Sequence, residues 1–154
     1  MSEDIVTNRR ALHSYHILDR FEAGISLKGT EIKSIRDGLA NIQNSFARID
    51  DGEVFIHGVD IQPYAKASHE QHLPRRPRKL LLHRREIDKL FGMTAVKGLA
   101  LVPLRLYWKN NRVKVELGVG KGKDVGDKRQ DIKKREEDRE AQREVSRFTR
   151  GKGG

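Results

Sequence analysis

Between Arg112 and Val119 every second residue is apolar: Val113, Val115, Leu117 and Val119 alternate with Arg112, Lys114 and Glu116. A period of two places the first set on one face of an extended strand and the charges on the other, so the segment reads as a strand with one buried and one wetted face. Asn110-Asn111 precedes it and tolerates the backbone of a tight turn, which makes "LALVPLRLYWKNNRVKVELGVG" a hairpin. Asp51-Gly52 does the same for "SFARIDDGEVFIHGVDI". Tyr15 to Leu18 and Phe21 to Leu27 read as two further short strands, with Gly24 marking a bulge or a close backbone approach.

Two stretches change period. In "GTEIKSIRDG", Thr30 is placed to cap a helix whose Ile32, Ile35 and Leu39 share a side and which Gly38 ends. In "KLLLHRREIDKLFG", Leu82, Glu86 and Leu90 with Leu80, Ile87 and Phe91 form a helical stripe closed by Gly92. Between them, Ala65 to Arg78 is polar and carries Pro74 and Pro77, and it is expected to be an exposed basic loop. About six short strands with one or two helices and no repeat predict a mainly β fold. A small closed or partly open barrel is expected, because closure removes sheet edges.

After Gly120 the apolar pattern stops. Lys121 to Gly154 holds 12 Lys or Arg and 8 Asp or Glu, and its only apolar residues are Val125, Ile132, Ala141, Val145 and Phe148. That is too little oil to offset the entropy of ordering the segment alone. Yet Glu136 with Arg139, Glu140 with Arg143 and Glu144 with Arg147 are opposite charges three apart, each worth about 0.2–0.5 kcal/mol to a helix. We therefore expect a domain over 1–120 and a basic tail over 121–154, disordered alone and helical on a partner.

The partner is indicated by charge. With 32 Lys or Arg against 22 Asp or Glu, the chain carries a net charge of +10, a field that attracts polyanions, either nucleic acid or an anionic membrane surface. Cysteine is absent, which excludes a disulfide framework and a thiolate metal site. The start, MSEDIVTNRR, has no apolar signal region, and no apolar run is long enough to span a bilayer, so a soluble cytoplasmic protein is expected, monomeric when free. Arg75, Arg76, Arg78, Lys79, Arg84 and Arg85 fall close together and could neutralise several phosphates. Trp108 is assigned to the core in preference to base stacking.

No catalytic set emerges. "GVGKGK" lacks the spacing of a phosphate-cradling loop, and carboxylates are dispersed. His13 and His16 with Glu22 are the one combination that an enzyme or metal site could use, without a third well-spaced ligand. A non-enzymatic protein without cofactor or metal is expected.

Together, "NRRALHSYHI", "FEAGISLKGTEIKSIRDG", "NIQNSFARI", "GEVFIHGVDIQPY", "RPRKLLLHRREIDKL", "LVPLRLYWKNNRVKVELGVGKGK" and "DKRQDIKKRE" resemble the SmpB family, SsrA-binding proteins that partner tmRNA in bacterial trans-translation. The resemblance runs from Asn8 to Glu136 and implies an oligonucleotide-binding-type barrel with helices that binds the tRNA-like part of tmRNA and rides with it into stalled ribosomes. By matching position it implies that Asn8, Glu22, Leu81 and Lys114 contact RNA, flanked by Arg78 and Lys79. It also implies that the tail engages the ribosome through Lys121, Lys123, Asp127, Lys128 and Arg129. One position departs: Gly126 stands where the family usually has a His or an aromatic able to stack on a base. The competing expectation is a basic structural component that uses the same barrel on ribosomal RNA.

Overall fold

The computed structural model describes residues 2–66, 71–96 and 98–123. Asp127, Lys128, Arg129 and Gly126 lie outside the described residues. The elements are β1 (Ser2–Thr7), α1 (Arg9–Ser14), β2 (Tyr15–Ile25), α2 (Gly29–Arg36), β3 (Ala40–Asn41), β4 (Phe46–Asp50), β5 (Glu53–His57), β6 (Asp60–Ile61), β7 (Arg78–Leu81), α3 (Arg84–Thr94), β8 (Leu99–Lys109) and β9 (Arg112–Gly122). β3 pairs only with β6. The other strands form a sheet in the order β1-β8-β4-β5-β7-β2-β9, and β9 returns to pair with β8. Six strands thus close a ring, with β4 meeting β8 at Ala47 opposite Leu101 and β1 occupying the rest of that β8 edge. This is the mainly β, barrel-with-helices fold that the alternation predicts, and it is consistent with an oligonucleotide-binding type of barrel.

Both predicted hairpins form. Asp51 and Gly52 have φ of 53° and 76°, and Asn110 and Asn111 have φ of 51° and 62°, the left-handed pairs that match the twist of the flanking strands. Val113, Val115, Leu117 and Val119 all enter one core with Ala23, Ile25, Val54, Ile56, Leu80 and Leu106. Ile35 of α2 and Leu90 of α3 join the same cluster, so the helices cover barrel surface that would otherwise be wet.

Several expectations are corrected. The two strands expected between Tyr15 and Leu27 are one, β2, bent by a bulge between Ile17 and Asp19 that leaves Leu18 exposed. The helix expected from Lys79 begins only at Arg84. Arg78–Leu81 is a strand because β5 and β2 offer partners on its two sides, Val54 to Leu80 and Gly24 to Leu81. Pairing on both edges outweighs helical spacing in a segment this short. Gly92 lies within α3, which runs to Thr94 and leaves Phe91 exposed. Thr30 is not the cap of α2: the Lys28 N–H is met by Glu31 Oε1 at 2.7 Å, while the Thr30 hydroxyl faces His72 Nδ1 at 2.9 Å.

β9 continues past Gly120, with Lys121 opposite His16 and Leu99, and Gly122 opposite Tyr15. Lys121 is therefore part of the sheet. Outside this end of the barrel Ala11 of α1 packs with Val102 and Leu104 in a second small core against Tyr15 and Ile17. Gly120 makes that approach possible, since a Cβ there would lie 2.9 Å from Tyr15 Cβ, an atom with little freedom to retreat. Gly120→Ala is expected to lower stability by about 1–3 kcal/mol, the usual cost of overpacking, in a urea titration of the full chain. An unchanged midpoint would mean that α1 yields freely.

Candidate nucleic-acid interface

The outward face of β7, β2, β9 and β8 is set by strand register. Leu81 lies opposite Gly24, Gly24 opposite Lys114, and Lys114 opposite Tyr107. One step along, Glu22 lies opposite Glu116, and Glu116 opposite Arg105. Residues far apart in sequence thereby stand in two adjacent rows on one surface.

Gly24 leaves its row open in the middle. A hollow of about 400 Å³ is lined there by Gly24, Leu27, Leu81, Trp108, Arg112 and Lys114, with Leu81 half exposed beside it. Trp108 packs against the core as expected, but is only partly buried, and the Arg36 guanidinium lies 5.5 Å from its ring centroid.

The charges on this face are largely paired. Arg20 reaches Glu116 Oε1 at 2.9 Å, and Arg105 bonds both Glu116 and Asp4 of β1. Glu22 is exposed, with Lys109 Nζ at 3.1 and 3.2 Å from its two oxygens and the Tyr107 hydroxyl donating to Oε2 at 2.5 Å. The hydrogen bond from Tyr107 is the main cause that holds the Glu22 carboxyl below its ordinary value, against burial and with help from Lys109 and Lys114. It stays an anion and hydrogen-bond acceptor at neutral pH. Lys114 and Arg112 make no ion pair among the described residues, so their charge is available to phosphate. Lys79 is exposed and 3.5 Å from Glu53, a surface pair that a phosphate can displace at little cost.

Two of the residues expected at the RNA do not reach the surface. Asn8 is 1% exposed. Its Nδ2 donates to the carbonyls of Ile42 and Pro103 at 3.0 and 2.9 Å, and its Oδ1 accepts from Ala11 N at 3.1 Å. The amide caps α1 and ties it to the barrel, which uses its hydrogen-bonding capacity inside the protein. Arg78 is 0% exposed, with its guanidinium 2.6 Å from Glu31 Oε2 and 2.8 Å from the Val59 carbonyl. Arg76 also grips Glu31, at 2.5 and 3.0 Å. The basic cluster therefore divides: Arg76 and Arg78 are structural, while Arg75, Lys79, Arg84 and Arg85 remain exposed. Charge count in the sequence could not separate them, because Glu31 lies 47 residues from Arg78.

His13 and His16 with Glu22 do not assemble. His13 lies in the last turn of α1, and His16 and Glu22 are six residues apart on one strand, roughly 20 Å by the rise of extended chain. Among the described residues no three metal-ligating side chains converge, and no helix is long and apolar enough to cross a membrane. What sequence reasoning missed is the role of Tyr107, an aromatic on an alternating strand that could stack on a base or pack in the core, and whose hydroxyl finds Glu22 only through folding.

The sequence profile of the family described as SmpB protein matches residues 5–147. An SsrA-binding protein of Carboxydothermus hydrogenoformans is 53% identical over 143 residues, covering 93% of this chain and 96% of the relative. One from Geobacter sulfurreducens is 55% identical over 136 residues, covering 88% and 89%. A chain from a solved structure described as "tmRNA-SmpB: a journey to the center of the bacterial ribosome" superposes with a TM-score of 0.67 at 48% identity, covering 79% of this chain and 86% of that one. With a profile that spans most of its length and relatives above half identity over nearly all of theirs, the chain belongs to the SmpB family.

Proposed function

We propose that this protein is an adaptor that binds the tRNA-like part of tmRNA and delivers it to stalled ribosomes for trans-translation, acting by binding and not by catalysis. The observation that carries the reading is the outward face of β2, β7, β8 and β9. There, two cations without ion pairs among the described residues, Lys114 and Arg112, flank a fixed carboxylate and an open hollow, on a fold shared with a chain described together with tmRNA. Lys114 and Lys79 supply phosphate contacts, and Leu81 gives an apolar surface to a base or ribose. Glu22 accepts from base amino or imino groups or from 2′-hydroxyls, the groups that a folded RNA loop presents.

Lys114→Glu is expected to weaken binding to the folded tRNA-like RNA by roughly tenfold or more and to flatten the salt dependence by about one phosphate's worth in a filter-binding titration. Glu22→Ala should lower affinity for that RNA more than for an unstructured RNA of equal length, since an acceptor reads donors and contributes nothing to phosphate attraction. Unchanged affinity and slope for Lys114→Glu would remove this face from the interface. Retention of the protein on idle ribosomes after a salt wash would favour the structural-component reading instead.

A further inference from the structure

We propose that Tyr107 is a positioning residue for RNA recognition: its hydroxyl fixes the Glu22 carboxylate in the orientation that accepts hydrogen bonds from the RNA. The inference rests on the assignment of Glu22 to the interface. Tyr107 stands on an outward row of β8, yet is 3% exposed. It is covered because the Arg105 guanidinium lies over its ring, 4.1 Å from the centroid. Arg105 is itself held by Asp4 on β1 and Glu116 on β9. The phenol is thus clamped by a chain of contacts through three strands, and its hydroxyl ends on Glu22 Oε2 of a fourth.

That arrangement matters because Glu22 is otherwise a surface side chain with three rotatable bonds. Lys109, its other partner, is a flexible cation that contacts both oxygens equally and sets no direction. The phenol has two torsions, both fixed by packing, and donates one directed bond. A carboxylate held in this way loses less side-chain freedom when RNA docks, and once the flexible Lys109 moves aside it offers Oε1 and the remaining lone pair of Oε2 to donors on the ligand. Burial, then Glu22 itself, keeps the phenol well above its ordinary pKa, so the bond has a donor throughout the working pH range.

The test compares Tyr107→Phe, Glu22→Ala and the double variant, in the full chain, for affinity to the folded tRNA-like RNA at several salt concentrations. Phe keeps the ring beneath Arg105. Tyr107→Phe is expected to weaken binding by roughly three- to tenfold, about the net worth of one ordinary hydrogen bond, since the hydroxyl acts on the RNA only through Glu22, with the wild-type salt slope. The double variant should bind no more weakly than Glu22→Ala, because both changes act through one carboxylate. A carboxyl titration by NMR should show the Glu22 pKa higher in Tyr107→Phe than in the wild type. Lys109 and Arg105 of β8, Lys114 and Glu116 of β9, and Arg20 of its own strand are unchanged between the two proteins. Wild-type affinity for Tyr107→Phe, with Glu22→Ala weakened, would overturn the positioning role and leave the interface standing. Wild-type affinity for Glu22→Ala would overturn both. Additive losses would give Tyr107 an RNA contact of its own, and a melting temperature far below wild type would assign the hydroxyl to stability, each against the proposal.

Discussion

Glu31→Ala is expected to destabilise the protein by about 3–5 kcal/mol, the range for removing one partner of a buried ion pair and leaving the other uncompensated. Glu31 is 0% exposed and bonded to Arg78, also 0% exposed, and to Arg76, so truncation strands two guanidiniums, one of them without access to water. Set against a total of about 5–15 kcal/mol for an ordinary domain, the loss leaves a protein near its unfolding threshold. Urea denaturation of the single variant and of Glu31→Gln combined with Arg78→Met is the measurement. The double variant should recover part of the loss, because it removes both charges and keeps much of the volume. A cost below about 1 kcal/mol for the single variant would place the cluster among ordinary surface substitutions and contradict this account.

The same cluster predicts an acid limb. Burial alone would raise the Glu31 carboxyl above its ordinary value of 4.5, but the bonds from Arg76, the Lys28 N–H and Arg78 more than offset it, and the net shift is downward. A carboxyl whose pKa is lower in the folded than in the unfolded chain contributes stability fully above the unfolded value and loses it as pH falls through the folded one. The contribution of Glu31 is therefore complete at neutral pH and is lost progressively as pH falls below about 4.5 and through the lower folded value, and this part of the acid limb should be missing in Glu31→Ala.

The hairpins were legible because their information is local. Asp51-Gly52 and Asn110-Asn111 set the turns, and alternation on either side sets which face is buried. Gly24 marks the close approach that a glycine within a strand predicts, since Leu81 Cβ would stand 3.3 Å from any Cβ placed there. β7 was not legible, because four residues with helical neighbours become a strand only once β5 and β2 are in place. Nor was β1, where SEDIVT has two charged residues in six and pairs along β8 about a hundred residues away. The interface followed the same division. Positional resemblance singled out Glu22, Leu81 and Lys114, and register places them on adjacent rows of one face. It also singled out Asn8 and Arg78, which folding turns inward. Side-chain type announces that a group can bind phosphate or a base, but burial decides whether it is free to do so, and burial is set by distant partners such as Glu31.

Ending the chain after Lys123 is expected to abolish productive tagging of stalled peptides while leaving RNA affinity within about threefold of wild type. The cut preserves β9, whose last paired residue is Gly122, whereas one at the expected domain boundary of Gly120 would remove Lys121 and Gly122 from their ladders with Tyr15, His16 and Leu99. Beyond Lys123 the sequence offers only Val125, Ile132, Ala141, Val145 and Phe148 for burial, so little apolar contribution to stability can depend on it. Every residue proposed for the RNA face, from Glu22 to Lys114, precedes the cut. What remains to the segment, on the proposed reading, is its cations and its opposite charges three apart, which suit an extended anionic partner such as ribosomal RNA, where binding meets the cost of ordering. Replacing Asp127, Lys128 and Arg129 together should reproduce much of the defect, and Gly126→His should be harmless or mildly favourable, since it supplies a ring that can stack. The decisive pair of measurements is RNA affinity and tagging on stalled ribosomes, made on the same truncated protein. Full tagging would reduce the segment to a solubilising extension. Lost RNA affinity would mean that the tmRNA contact extends beyond the barrel, and the division of labour between body and tail would have to be redrawn.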